Sequence, residues 1–149
     1  GLERCRVEKS GAGLVATFAP LVERPDARLR VQVRPLADKR TLEFAFDADA
    51  GLAVESVRLL DEALWTTDAD KGYIVVPVRE GLLIPADSGL NFNHRFDTYA
   101  YEGCHMTMLG AVKRGAATLI TWTDPYVAAD VRSAVTNVFA PDARQGLSA

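Results

Sequence analysis

An antiparallel β-sandwich, mainly β in content, is the fold class the sequence predicts, and three observations predict it. Apolar and polar residues alternate with a period of two from one end of the chain to the other. Turn residues recur at short intervals. Residues 72–89, GYIVVPVREGLLIPADSG, set two apolar runs on either side of a charged-glycine turn. Alternation is what a strand with one buried face requires, and regularly spaced short strands indicate a sandwich, with an incomplete barrel as second choice.

The elements follow in order. Residues 14–19 form an early strand bounded by Gly11, Gly13 and Pro20. In 28–34, Leu29, Val31 and Val33 face one way and Arg28, Arg30, Gln32 and Arg34 the other. Residues 41–47 repeat this with Leu42, Phe44 and Phe46 inward. Pro35 and residues 37–40 between them fit a turn, so these two strands are expected to pair antiparallel. Residues 54–60 are ambiguous between helix and strand, with strand preferred. Tyr73 to Val76 and Gly81 to Pro85 are continuous apolar runs, as expected of strands covered on both faces. Pro77 cannot donate to a ladder and marks an edge or a bulge.

Residues 87–97 are polar and read as a long loop, and 98–112 resume strand character, with Cys104, Met106 and Met108 on one face. Lys113-Arg114-Gly115 is a tight hairpin turn in which Gly115 takes a positive φ. Residues 117–123 return as a strand. Asp124-Pro125 then matches a helix start, and Val127, Val131, Ala134, Val135 and Val138 follow at helical spacing. This predicts one short helix near the C-terminus, against a competing strand over 132–139. Residues 141–149 read as a flexible tail.

At 149 residues the chain is expected to form a single domain around one core. A net charge of -3 disfavours nucleic acid, and Arg24, Arg28, Arg30, Arg34 and Arg40 are diluted by Glu23, Asp26 and Asp38. No apolar run approaches the roughly 20 residues of a membrane span. The opening residues GLERCRVEKSGAG contain no hydrophobic signal core. Cys5 and Cys104 belong to no CxxC pair, so neither a metal cage nor a disulfide framework is indicated, and Cys104 is expected to be a buried free thiol. No GxGxxG or Walker loop occurs, so no cofactor is expected.

Few residues suggest chemistry. His105 reads as a strand residue. His94 lies in Asn91-Phe92-Asn93-His94-Arg95-Phe96-Asp97, a polar-aromatic stretch that suits either ligand contact or an ordinary surface loop. Ser88 sits in Asp-Ser-Gly, a turn rather than a nucleophile elbow. Asp47, Asp49, Asp61, Glu62, Asp68, Asp70, Glu80, Asp87, Asp97, Glu102 and Asp124 include many conceivable acid/base couples, but sequence does not reveal the separation a glycosidase needs. Trp65, Tyr99, Tyr101, Trp122 and Tyr126 are either sugar platforms or core rings, with Trp65 and Tyr126, next to turns, the better surface candidates.

Residues 72–89 and 108–127 (MLGAVKRGAATLITWTDPYV) resemble part of large bacterial glycoside-hydrolase-like proteins. In these, a β-supersandwich similar to the galactose-mutarotase fold precedes a catalytic barrel. The shared features are Gly-Tyr-Ile-x-x-Pro, a glycine turn, Leu-Leu-Ile-Pro, Asp-Ser-Gly, a Lys-Arg-Gly hairpin and Ile-Thr-Trp-x-Asp-Pro-Tyr. The resemblance implies a noncatalytic domain within a larger multidomain protein, partnered by carbohydrate and by the catalytic barrel of the same polypeptide. It implies no catalytic residue and no metal site here. The loops bearing Arg79 and Glu80; Asp87, Asn91, Asn93, His94 and Arg95; and Asp124 and Tyr126 would border the sugar cleft. A stand-alone carbohydrate-binding or adhesion module is the alternative. A small mutarotase-type epimerase using His94 or His105 is the third reading.

Overall fold

The computed structural model describes residues 5–19, 22–60, 63–91, 93–136 and 144–148, the backbone alone for 134–136 and 144–148. The chain is mainly β with antiparallel pairing, and its helical content among the described residues is one 3-10 turn, Asp68–Asp70. Where length led to one domain, the fold divides into two compact units, Gly1–Val57 and Arg58–Ala149.

The first unit is a four-stranded meander of β1 (Cys5–Ser10), β2 (Gly13–Phe18), β3 (Leu29–Pro35) and β4 (Leu42–Ala48), in that order. Its register matches the alternation: Leu14 pairs with Val33 and Val33 with Phe44, while Ala16 pairs with Val31 and Val31 with Phe46. One face therefore collects Val7, Leu14, Val31, Val33, Phe44 and Phe46, but it is not a buried face: Leu42, Phe44 and Phe46, expected inward, are exposed, as are Val7 and Leu14. The opposite face carries Arg30 bonded to Asp47 (3.2 Å) and Asp49 (2.7 Å), and Arg34 bonded to Glu43. The arginine-rich stretch is thus a solvated strand face. Asp38 closes the β3–β4 turn by accepting hydrogen bonds from the backbone N–H of Arg40 and Thr41. Residues 52–59, where a strand was preferred, form no regular element.

The second unit contains two four-stranded sheets. One has the order β10-β9-β6-β7, built from β6 (Tyr73–Val76), β7 (Leu82–Pro85), β9 (Met108–Lys113) and β10 (Ala116–Thr121). The other has the order β5-β12-β11-β8, built from β5 (Trp65–Thr67), β8 (Asn93–Asp97), β11 (Ala128–Thr136) and β12 (Arg144–Ser148). Ile74, Val76, Ile84, Leu109 and Ala111 from the first sheet share one core with Phe96, Ala129 and Val131 from the second, joined by Leu64 and Cys104. Two sheets burying their facing sides against each other make this unit an antiparallel sandwich.

Several expectations change here. The predicted C-terminal helix is instead β11: Ala129 and Val131 alternate inward, and Asp97 and Phe96 of β8 pair with Ala128 and Ala129. Asp124 caps a turn rather than a helix, its carboxylate accepting from Tyr126 N at 2.9 Å. Val138 lies outside the described residues. Residues 144–148 of the expected tail form β12, paired to both β11 and β5. Residues 93–97, read as loop, are β8, in which only Phe96 is buried and the neighbours are polar. The strand expected over 98–112 begins only at Met108, so Cys104 and His105 lie in a connection. Leu83 and Pro85 are exposed while Ile84 between them is buried, so the second apolar run is covered on one face only. Pro77 stops β6, a central strand, and is neither an edge nor a bulge. Both cysteines are free, Cys104 fully buried. No helix among the described residues is long and apolar enough to cross a membrane.

Candidate functional site

Topology sorts the sequence-predicted site residues into two ends of the sandwich unit. The β6–β7 hairpin (77–81), the β8–β9 connection (98–107) and the β10–β11 connection (122–127) emerge at one end, because β6, β8 and β10 all finish there. Backbone bonds fasten the three together. His105 N donates to Pro77 O at 2.8 Å, Trp122 N to Thr107 O at 3.2 Å, and Thr98 N to Val127 O at 3.3 Å. Arg79, Glu80, Asp124 and Tyr126 belong to this end. Asp87 and Asn91 follow β7 at the far end, where Ser133 Oγ donates to Asn91 Oδ1 at 3.3 Å. Asn93, His94 and Arg95 run along β8, with the His94 ring edge-on to Phe96 at 4.5 Å and Arg95 Nε bonded to Asp97 at 3.0 Å.

At the loop end the tight turn puts Arg79 at φ 51, aiming its guanidinium over the Tyr101 ring (5.4 Å to the centroid) and onto Glu102. Residues 98–104 are closed by Cys104 N donating to Asp97 O (2.9 Å) and Tyr99 N donating to Cys104 O (2.7 Å). This leaves Tyr101 82% exposed and Tyr126 91% exposed. Trp122, by contrast, packs against the core and donates its indole N–H to Thr98 Oγ1 at 3.0 Å. It is a structural ring. The end therefore presents the exposed rings of Tyr101 and Tyr126, with the Arg79 guanidinium held over the first.

A second constellation, which sequence reasoning did not assemble, lies at the other end. The β9–β10 hairpin has a two-residue loop, with Lys113 paired to Ala116 and both Arg114 (φ 51) and Gly115 (φ 78) left-handed. That is the type I′ geometry expected from Gly115. It turns Arg114 toward Asp70: Arg114 N donates to Asp70 O at 3.3 Å, and Arg114 Nε to Asp70 Oδ1 at 2.6 Å. Asp70 Oδ2 also accepts from Thr67 N (3.2 Å) and Thr67 Oγ1 (2.8 Å), with Lys113 Nζ at 3.4 Å. Lys113 Nζ in turn sits 3.0 Å from the centroid of the Trp65 ring. Burial pushes the Asp70 carboxyl up, but the Thr67 hydroxyl and the Arg114 guanidinium outweigh it and hold it at about 2. The stabilisation from Asp70 is therefore complete above its ordinary value of 3.8 and is lost as pH falls toward 2. Asp70→Asn should lower the urea midpoint at pH 7 and flatten its fall between pH 4 and about 2; an unchanged acid limb would mean that Asp70 is not the group titrating there. Burial signals Asp70 in the structure; in the sequence the Thr67-x-x-Asp70 capping-box spacing, which Asp68 lacks, is the pattern that could have found it.

Among the described residues no group of three or more His, Cys, Asp or Glu side chains is placed to hold a metal ion. The chain matches no protein family, no curated protein and no solved structure. Its class is the one its coordinates define, an antiparallel β chain with a sandwich unit.

Proposed function

We propose that this chain is a noncatalytic β-sandwich module of a glycoside-hydrolase-like protein, touching carbohydrate through the loop end of the Arg58–Ala149 unit and leaving bond cleavage to a separate catalytic domain. The observation that carries the reading is the set of three loops, tied by backbone bonds, that exposes Tyr101 and Tyr126, with Arg79 over the Tyr101 ring. The sequence resemblance supports it. So does the engagement of two carboxylates at this end: Glu102 is paired with Arg79, and Asp124 accepts from Tyr126 N. The mutarotase reading is weaker, because His94 near the start of β8 and His105 in the opposite loops do not converge.

The test is a glycan array followed by calorimetry on the best ligands. The purified chain should bind a glycan without hydrolysing or epimerising it. Tyr101→Ala and Tyr126→Ala should each weaken binding about ten-fold, the worth of one lost ring contact. Turnover by the chain, binding to no glycan, or full affinity in both variants would each overturn the reading.

A further inference from the structure

We propose that the Trp65–Lys113–Arg114 cleft is a second binding site, specific for a carboxylate-bearing sugar of the uronic-acid type. The cleft is a cavity of about 390 Å³ lined by Leu64, Trp65, Ala111, Lys113, Arg114 and Thr118, among others. That volume is at the small end of ligand pockets, which run from about 300 to 1,000 Å³, and suits a short saccharide.

Three features select the ligand. Trp65 is 52% exposed, and Lys113 fixes its ring from one side, so indole surface remains for a pyranose face. Among the described residues the charge is unbalanced toward the positive: two cations, Lys113 and Arg114, share the single buried carboxylate of Asp70, and no described carboxylate lines the cavity. Finally, Arg114 commits its Nε to Asp70 while its side chain stays 70% exposed, which leaves its terminal nitrogens to fork onto an incoming carboxylate. Asp70 here is a positioning residue, holding both cations at the rim. A neutral sugar would gain the stacking but leave the cations unanswered; a bare anion would gain the charge but not the ring.

The sugar part of this inference rests on the carbohydrate reading above, and the site is distinct from the loop end. The experiment titrates the whole chain with a galacturonate trisaccharide and with its neutral galactose counterpart, read by tryptophan fluorescence and calorimetry. The acidic trisaccharide should bind about ten-fold or more tightly, since a hydrogen bond to a charged group contributes roughly 1.5–3 kcal/mol. Its affinity should fall as salt is raised. Lys113→Gln should remove most of that preference, and Trp65→Ala should abolish binding of both sugars at this cleft. If Trp65→Ala disturbs the fold, Lys113→Gln and the salt titration carry the test. Equal affinity for the two trisaccharides, sensitivity to Tyr101→Ala in place of Lys113→Gln, or equal binding of sodium acetate would overturn the site. Glycan binding lost only in the tyrosine variants would overturn this inference while leaving the loop-end reading standing.

Discussion

Gly72→Ala is expected to destabilise the sandwich unit by about 3 kcal/mol, the upper range for forcing one carbon into a packed interior. Gly72 precedes β6, and a Cβ placed there would lie 2.0 Å from Thr66 Oγ1 and 2.3 Å from Val112 O. Neither neighbour can yield cheaply. Thr66 is completely buried on β5, and Val112 O belongs to the backbone of β9, which pairs with β6. The methyl would therefore push the start of β6 away from β9 in its own sheet and from β5 in the other. Urea denaturation followed by tryptophan fluorescence reads this unit alone, since both tryptophans of the chain, Trp65 and Trp122, lie within it. Adding Thr66→Ala should recover part of the loss, because it removes one of the two clashes and a buried hydroxyl that has no hydrogen-bond partner. Full wild-type stability in Gly72→Ala would show that β6 does not approach these strands so closely.

Ile74→Ala should destabilise the same unit by about 3–4 kcal/mol, within the range for truncating a fully buried Ile. Ile74 has no exposed surface and stands on a central strand, paired with Ile84 on one side and Ala111 on the other, both in the core. Ladder hydrogen bonds hold those neighbours in place, so the walls cannot collapse into the void. Ile74→Val should lose only about 1 kcal/mol. Leu83→Ala, at a 60% exposed position on the neighbouring strand β7, should stay within about 0.5 kcal/mol. Similar losses at Ile74 and Leu83 in urea titrations would contradict the assignment of inner and outer faces.

How far the sequence reached depended on whether a strand's pairing was local and its apolar alternation unmistakable. β3 and β4 were legible because Leu29, Val31, Val33, Phe44 and Phe46 alternate with charges across one short turn. The β9–β10 hairpin was legible through Arg114-Gly115. β8 was hidden because polar residues fill its outward positions and Phe96 alone marks the core. β11 was read as a helix because Val127, Val131, Ala134 and Val135 recur at helical spacing, and only pairing with β8 and β12 shows the strand. β5 has three residues and finds its partner in β12, near the end of the chain. The site followed the same logic. Arg79 and Tyr126 were visible as turn residues. Asp70 was one carboxylate among many until the hairpin brought Arg114, 44 residues further on, against it.

The two free cysteines fall one in each unit, and this makes the chain its own pair of stopwatches. Cys5 sits partly exposed on β1, the edge strand of the meander, within reach of a thiol reagent. Cys104 is sealed in the sandwich core, and burial pushes its thiol up to about 11, so it offers almost no thiolate until that core opens. Pulses of reagent under native conditions would thus time the fraying of one sheet by the first sulfur and the opening of the sandwich by the second, with no label added to the sequence.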